Sequence, residues 1–117
     1  MNKHHKINYI EIPVKEVAAS KQFFCKVFGW QFVDYGEDYA CIVEAGIDGG
    51  LFKSDGTVST DQGSVLLVIY SADLAASQSA IEQAGGKIIK PIFSFPGGRR
   101  FHLSDPNLNE YALWSDK

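Results

Sequence analysis

The sequence predicts an α+β protein built from two βαβββ modules, with helices outside curved, mixed sheets. The first observation is an internal repeat, because a shift of 57 residues (from Ala18 to Ala75, 75 − 18) lays residues 16–20, EVAAS, on residues 73–77, DLAAS. The second is that each copy runs strand, acidic residue, helix, glycine and strand. The third is a polar, glycine-rich stretch between the copies. A repeat of fixed period indicates a duplicated supersecondary unit.

The first copy opens with a strand at residues 7–14, where side chains alternate with a period of two. One face carries Ile10, Ile12 and Val14, and the other carries Tyr9, Glu11 and Pro13. A helix follows, because apolar residues recur at helical spacing until a glycine ends them: Val17, Phe24, Val27, Phe28 and then Gly29. Strands are predicted at residues 30–35 and 39–44, with turns at 36–38 and 46–50. A short fourth strand begins at Leu51.

The second copy follows the polar bridge at residues 54–64. It predicts a strand at 65–70, an N-cap at Asp73 and a helix at 74–84 ended by Gly85 and Gly86. The second copy continues with extended segments at 87–95 and a turn at 96–98. It ends with a strand at 99–103, a turn at 105–108 and a strand at 109–114. The expected organisation is one domain over residues 1–117, with module 1 at about 7–53 and module 2 at about 65–115.

Composition and charge argue against several classes of partner. The net charge of −3 and the pI near 5.5 supply no basic field for nucleic acid. The amino terminus lacks the apolar segment of a signal peptide, and no stretch has membrane-spanning length. Cys25 and Cys41 have no CxxC spacing and lie in apolar patterns, which favours two reduced, mostly buried thiols. We therefore expect a cytoplasmic protein with neither nucleic acid nor membrane as a partner.

The order of these motifs resembles the vicinal oxygen chelate superfamily, which includes glyoxalase I, extradiol dioxygenases, fosfomycin-resistance transferases and metal-free bleomycin-binding proteins. Four segments carry the resemblance: residues 14–17 (VKEV), 26–30 (KVFGW), 84–87 (AGGK) and 96–109, which include PGGR and DPNLN. The resemblance covers about residues 7–114. It implies curved sheets around a cavity.

The resemblance also implies a divalent metal held by His, Glu or Gln, and the matching positions argue against it. The first-strand ligand position falls on Tyr9, its counterpart in the second module on Leu66, and the last-strand position on Ala112. The fourth, near residues 49–52, has no ligand type either. Leucine and alanine cannot coordinate a metal, and a neutral tyrosine is a poor ligand. We therefore expect no usual metal site and no cofactor.

Strand alternation then assigns side chains to the cavity face that the resemblance implies. Aromatic walls are expected from Tyr9, Tyr70 and Trp114, and polar groups from Glu11, Arg100, His102 and Glu110. This mixture is typical of a small-molecule site. Each of these residues also has a structural alternative. Glu11 or Glu110 can pair with Arg100 as a structural salt bridge. His102 can be an ordinary half-buried histidine, and Trp114 can simply cap the core.

Three functions follow from this surface. The first is a metal-free small-molecule-binding protein of glyoxalase/bleomycin-resistance type, with a ligand held by Tyr9, Glu11, Tyr70, Arg100 and Trp114. The second is a lyase or isomerase of glyoxalase type, with His102 and Glu110 (or Glu11) as catalytic residues or as unorthodox metal ligands. The third is an interaction module with a vestigial cavity. Family members of this size imply a homodimer, which open sheet edges also favour.

One position departs from the family's DPxGN turn, which has glycine where this chain has Leu108. Glycine there supplies a left-handed backbone, which is costly for a branched aliphatic residue. We expect Asn107 or Asn109 to adopt that conformation instead, or the turn to change its register.

Overall fold

The computed structural model describes residues 2–117, and the chain forms two compact units, Met1–Gly56 and Thr57–Lys117. The first unit contains β1 (Tyr9–Val14), α1 (Val17–Phe28), β2 (Gln31–Asp34), β3 (Tyr39–Val43) and β4 (Asp48–Lys53). The second contains β5 (Leu67–Tyr70), α2 (Leu74–Gln83), β6 (Lys87–Phe95), β7 (Gly98–Ser104) and β8 (Glu110–Ser115). The described residues therefore confirm the α+β class and the two βαβββ modules.

The two sheets have the same internal topology. The first has the strand order β1-β4-β3-β2, and the second has the order β5-β8-β7-β6. In each, the first and last strands of the module pair in parallel, and the other pairs are antiparallel. The sheets are therefore mixed, and the duplication read from the sequence is a duplication of topology.

The core of the first unit follows the alternation of β1. Ile12 and Val14 are buried, whereas Tyr9 and Glu11 are exposed on the other face. α1 contributes Val17, Phe23 and Phe24 to the core and ends at Gly29, which has a φ of 74°. The Gly29 amide donates to the Cys25 carbonyl at 3.0 Å, so the predicted helix end is confirmed.

The core of the second unit forms in the same way between α2 and the inner face of its sheet. Phe101, Leu103, Tyr111 and Leu113 have no solvent exposure, and α2 adds Leu74 and Ile81. Asp73 caps α2, because its carboxylate accepts from the Ala76 amide at 3.1 Å. The opposite sheet face thus carries the side chains that alternate with this core, namely Arg100, His102 and Ser104 of β7 and Glu110, Ala112 and Trp114 of β8.

The turn predicted at residues 46–50 is wrong in its second half, because β4 begins at Asp48. Its glycines were interpreted as turn residues, but Gly49 and Gly50 are buried in the strand. A Cβ at Gly49 would lie 2.7 Å from the Ile10 carbonyl oxygen, and one at Gly50 would overlap the Tyr39 hydroxyl. These glycines therefore admit the close approach of a neighbouring strand and of two tyrosine side chains.

The expectation of mostly buried thiols is also wrong in part. Cys41 is half-buried, but Cys25 is exposed, and both are free. Cys25 lies on α1 beside Phe24, and the helix turns Phe24 inward and Cys25 outward. An apolar run in sequence does not fix the burial of each member, because neighbouring residues on a helix point about 100° apart.

The turn that joins β7 to β8 contradicts the expectation for Leu108, which itself has a positive φ of 68°. The carboxylate of Asp105 accepts from the amides of Asn107 at 2.8 Å and Asn109 at 2.9 Å. The Asp105 amide also donates to the Asn109 carbonyl, and the Leu108 amide to the Asp105 carbonyl, both at 2.9 Å. These four bonds fix the backbone and impose the left-handed conformation on the fourth residue, whatever its side chain.

We expect Leu108→Gly to raise the free energy of unfolding by about 1 kcal/mol, because it removes the left-handed strain from a side chain that is 56% exposed. Urea denaturation measures the effect. Leu108→Ala is the matched control, since it removes the side-chain atoms beyond the Cβ and keeps the Cβ that strains the left-handed backbone. A Leu108→Gly protein no more stable than Leu108→Ala would show that position 108 is unstrained.

Candidate functional site

A cavity of about 620 Å³ opens on the second unit beside the facing ends of β7 and β8. Ser104 pairs with Glu110 across these strands, and His102 pairs with Ala112 one step further along. The chain before β5 lies against the same ends, because the Glu110 amide donates to the Val58 carbonyl at 2.9 Å. The lining includes Thr60, Lys87, Lys90, His102, Ser104 and Glu110.

His102 and Glu110 form a buried pair in this cavity. His102 is 5% exposed and Glu110 is 8% exposed, and the His102 Nδ1 lies 2.7 Å from the Glu110 Oε2. The other carboxylate oxygen accepts from the amide of Thr60 at 2.7 Å and from its hydroxyl at 2.9 Å. Three donors therefore converge on one carboxylate.

The charge state of Glu110 fixes the proton on its partner. Burial acts to raise the pKa of Glu110, but the hydrogen bonds from His102 and from the amide and hydroxyl of Thr60 outweigh it and hold the pKa below its usual range. An ionised carboxylate only accepts, so the Nδ1 of His102 carries a proton. In the neutral ring the lone pair is then on Nε2, which is buried and has no hydrogen-bond partner among the described residues.

A second hollow of about 260 Å³ lies on the same unit and is lined by Val68, Phe95, Arg100 and Trp114. Trp114 lies opposite Arg100 across β7 and β8, and its ring packs edge-on against Tyr70 at 5.2 Å. The Tyr70 hydroxyl donates to Asp116 at 2.6 Å, which raises the pKa of Tyr70. The structure thus brings Tyr70, Arg100 and Trp114 together.

The structure does not form the salt bridge considered for Arg100. Glu110 bonds to His102 and Thr60 instead. The guanidinium of Arg100 lies over the rings of Phe93 and Phe95, at 5.3 and 5.9 Å from their centroids. Its Nε is buried without a hydrogen-bond partner within residues 2–117. The difference arises from strand register, which places Trp114, rather than Glu110, opposite Arg100.

Tyr9 and Glu11 belong to a hydrogen-bond cluster of the first unit. The hydroxyls of Tyr9 and Tyr39 are 2.5 Å apart, and the Tyr39 hydroxyl donates to the Glu11 carboxylate at 2.9 Å. The Cys41 sulfur lies 3.6 Å from the Tyr9 hydroxyl. The hydrogen bond to Tyr39 is the main cause of a raised pKa of Tyr9, so this phenol stays protonated. Tyr9 and Glu11 therefore share one face, as the alternation of β1 predicts.

Sequence reasoning missed two residues of these clusters. Thr60, which holds Glu110, lies in the stretch interpreted only as a polar bridge, and its composition carries no signal for that role. Tyr39, which links Tyr9 to Glu11, was taken as an ordinary strand residue. A signal existed here, because alternation along β3 places Tyr39 and Cys41 on one face, and two glycines in the neighbouring strand leave room for a large side chain.

Comparison with known proteins decides the family. The family model described as the glyoxalase/bleomycin resistance protein/dioxygenase superfamily matches residues 6–113. The chain belongs to this superfamily. No curated protein sequence matches it.

Solved structures agree with the superfamily fold. A glyoxalase-related enzyme from Fulvimarina pelagi has a TM-score of 0.77 at 16% identity, over 95% of this chain and 88% of that chain. The fosfomycin resistance protein FosX from Listeria monocytogenes has a TM-score of 0.78 at 14% identity, over 97% and 94%. A glyoxalase/bleomycin resistance protein/dioxygenase family enzyme from Burkholderia phytofirmans has a TM-score of 0.77 at 16% identity, over 94% and 98%. At these identities the likeness shows the fold alone.

The donors present do not fit the divalent metal that the superfamily resemblance implies. Tyr9 keeps its phenol proton in the bond to Tyr39, and neither Leu66 nor the fully buried Ala112 carries a donor atom. No group of three or more His, Cys, Asp or Glu among residues 2–117 is arranged to hold a metal ion. His102 is engaged through Nδ1 by a carboxylate whose own oxygens already accept three hydrogen bonds.

No helix in residues 2–117 is long and apolar enough to cross a membrane.

Proposed function

We propose that this superfamily member is a small-molecule-binding protein that holds its ligand without the usual metal, on the face of the second sheet that carries Arg100 and His102. The observation that carries the proposal is the buried Nε2 of His102, which lacks a partner beside a cavity of about 620 Å³. A buried polar atom without a hydrogen bond is costly, and a ligand donor or acceptor at this point removes the cost.

The surroundings of His102 support a ligand of mixed polarity. Lys87 and Lys90 provide cations at the rim, Ile89 and Leu108 provide exposed apolar surface, and Thr60 supplies a polar edge. A concave surface with apolar walls and a few convergent polar groups is typical of small-molecule sites. Arg100 on β7 and Trp114 on β8 extend this surface, and Tyr70 on the neighbouring strand β5 packs against Trp114. Tyr9 and Glu11 stay predicted ligand-binding residues on the face of the first sheet where they lie together with Tyr39.

A thermal-shift screen tests the binding function. The library covers aromatic amines, carboxylates and thiol conjugates, and a ligand at 100 times its Kd is expected to raise the free energy of unfolding by about 2.7 kcal/mol. His102→Asn keeps a donor toward Glu110 and removes Nε2, so it is expected to reduce the shift. His4→Asn, at an exposed histidine of the first unit, is the matched control. An absence of any thermal shift favours the interaction module with a vestigial cavity. A thermal shift in His102→Asn equal to that of the wild type would show that the ligand does not bind in the His102 cavity.

The pairing of His102 with an ionised Glu110 favours one second candidate, a lyase or isomerase that moves a proton. Glu110 holds the ring so that the Nε2 lone pair faces a bound substrate, and Nε2 then removes a proton from carbon beside a carbonyl. Glu110 does not touch the substrate in this scheme but orients the base and stabilises the imidazolium.

Deuterium exchange separates the two candidates. A carbonyl ligand from the screen is incubated with the protein in D₂O, and loss of its α-proton signal is followed by NMR. Catalysis predicts exchange that His102→Asn slows by about 10²–10⁴-fold. Binding without exchange leaves the first candidate alone.

The expected assembly is a homodimer in the cytoplasm, with one domain per chain. Exposed apolar side chains support pairing, among them Val33, Tyr35, Val65, Ile89 and Ile92. Each sheet also ends in strands that lack a second neighbour within their own unit. Light scattering at micromolar concentration is expected to give twice the 12.9 kDa chain mass, and a monomer would contradict the dimer.

A further inference from the structure

Arg100 is a half-buried cation that no acidic side chain of residues 2–117 neutralises. The ion pairs found there are Lys21 with Asp34 and His102 with Glu110. The oxygens of Glu110 are occupied by His102 and Thr60, and Asp116 accepts from Tyr70. Arg100 therefore keeps its charge without an acidic partner, and His102 lies two residues away on the same strand, β7.

The aromatic contacts of Arg100 satisfy only part of its bonding capacity. Phe93 and Phe95 lie under the guanidinium, and such stacking uses the faces of the planar group. The N–H donors point outward in the plane of the group and require acceptors there. The buried Nε lacks one. The two rings thus hold the guanidinium in place and leave its edge available.

The space beside Arg100 suits an apolar group. The hollow of about 260 Å³ is lined by Val68, Phe95 and Trp114 besides Arg100 itself, and Val68 is 45% exposed. An apolar cavity of about 150 Å³ is enough for benzene, so this hollow accommodates a phenyl ring with a short chain.

We infer that Arg100 is the anion-binding residue of the ligand site, and that the ligand joins a carboxylate to an apolar body of about the size of a phenyl ring. This inference rests on the proposed binding function and names its ligand class. A carboxylate matches the edge of a guanidinium with two parallel hydrogen bonds. Residues i and i+2 of a strand share one face and lie about 7 Å apart. A ligand held by Arg100 is therefore within reach of the His102 cavity.

Three probes of one shape and different charge test the inference: 3-phenylpropanoate, 3-phenylpropanamide and 3-phenylpropan-1-amine. Their affinities are measured by NMR titration of the ¹⁵N-labelled protein, followed at the Trp114 indole. The wild type is expected to bind the acid at least tenfold more tightly than the amide or the amine. Arg100→Gln is expected to abolish this preference, and added salt is expected to weaken acid binding to the wild type.

Arg99→Gln is the matched control, because it removes the same charge from the neighbouring residue, whose guanidinium bonds to the Lys117 carbonyl instead. It is expected to bind the acid as the wild type does. Arg100→Lys serves if Arg100→Gln fails to fold, and it is expected to weaken acid binding severalfold because the ammonium lacks the planar fork.

Two results obtained with probes that bind overturn the inference and spare the proposed binding function. One is equal affinity for acid and amide, and the other is an equal loss in Arg99→Gln and Arg100→Gln. Failure of all three probes to bind, while other compounds stabilise the protein in the thermal screen, overturns the inference as well. Failure of the probes together with an empty screen overturns the proposed function too.

Discussion

The Glu110→Ala variant is expected to lose about 2 kcal/mol of unfolding free energy, because it removes the acceptor of a buried donor. Glu110 accepts from His102 Nδ1 at 2.7 Å and from the amide and hydroxyl of Thr60 at 2.7 and 2.9 Å. Alanine leaves the Nδ1 donor of the buried His102 without an acceptor, which costs about 1–3 kcal/mol. Water can replace the carboxylate at the two donors of Thr60, because that residue is exposed. Urea denaturation at pH 7 measures the loss.

Two variants show whether the loss comes from the converging donors. Glu110→Gln keeps an oxygen for Thr60 and is expected to lose less than Glu110→Ala. Glu82→Ala removes an exposed carboxylate from α2 and is expected to change stability by less than about 0.5 kcal/mol. If Glu110→Ala is as stable as Glu82→Ala, the Glu110 pair does not fix His102 in one orientation.

Asp105→Asn is expected to remove a pH dependence of stability between about pH 4 and pH 6. Asp105 is 1% exposed, accepts from the amides of Asn107 and Asn109, and has no cationic partner among the described residues. Burial raises the pKa of Asp105 from 3.8 to about 6, against the lowering effect of these hydrogen bonds. The native carboxyl therefore holds its proton to higher pH than the unfolded chain does.

The direction of the pH effect follows from proton binding. Between pH 3.8 and about 6 the native state binds more protons at Asp105 than the unfolded state, so stability falls as pH rises. The stabilising contribution is complete below pH 3.8 and is lost above pH 6. Between pH 4.5 and pH 7 the loss amounts to about 2 kcal/mol. Asparagine keeps an oxygen for the two amides and has no charge to bury.

Urea unfolding of wild type and Asp105→Asn at a series of pH values tests this expectation. The stability of the variant relative to the wild type is expected to rise by about 2 kcal/mol from pH 4.5 to pH 7. Taking the difference removes groups common to both proteins, including Glu110, whose lowered pKa acts in the opposite direction at lower pH. Asp38→Asn, at an exposed turn, is the control and is expected to show a constant difference. A constant difference for Asp105→Asn as well would mean that Asp105 is not desolvated.

The fold was accessible from the sequence because local pattern and topology agree in this chain. The 57-residue repeat predicted both modules, and the alternation of β1 separated the face of Ile12 and Val14, which is buried, from that of Tyr9 and Glu11. The failures lie where tertiary contacts override local preference. Gly49 and Gly50 lie in a strand, where the absence of a side chain leaves room for the Ile10 carbonyl and the Tyr39 hydroxyl. Leu108 is left-handed because four hydrogen bonds impose that backbone conformation.

The sequence predicted which residues share the face of the candidate site, but not which of them pair with each other. Alternation placed Arg100, His102, Glu110 and Trp114 on one sheet face, since a strand has only two faces. It did not choose between Arg100 and His102 as the partner of Glu110, because that depends on the register of β7 against β8. Thr60 was missed because it begins a single 3-10 turn, Thr60–Gln62, and one turn has no periodicity from which the direction of a side chain follows.

In the function proposed for this protein, the ligand binds to the face of the second sheet around His102 and Arg100. The most direct measurement is a ¹H–¹⁵N correlation spectrum of the labelled protein, titrated with 3-phenylpropanoate and with the strongest compound from the thermal screen. Saturable shifts are expected to concentrate at Thr60, Arg100, His102 and Trp114. Saturable shifts confined to residues of the first unit, or no shift at millimolar concentrations of either compound, would contradict this proposal.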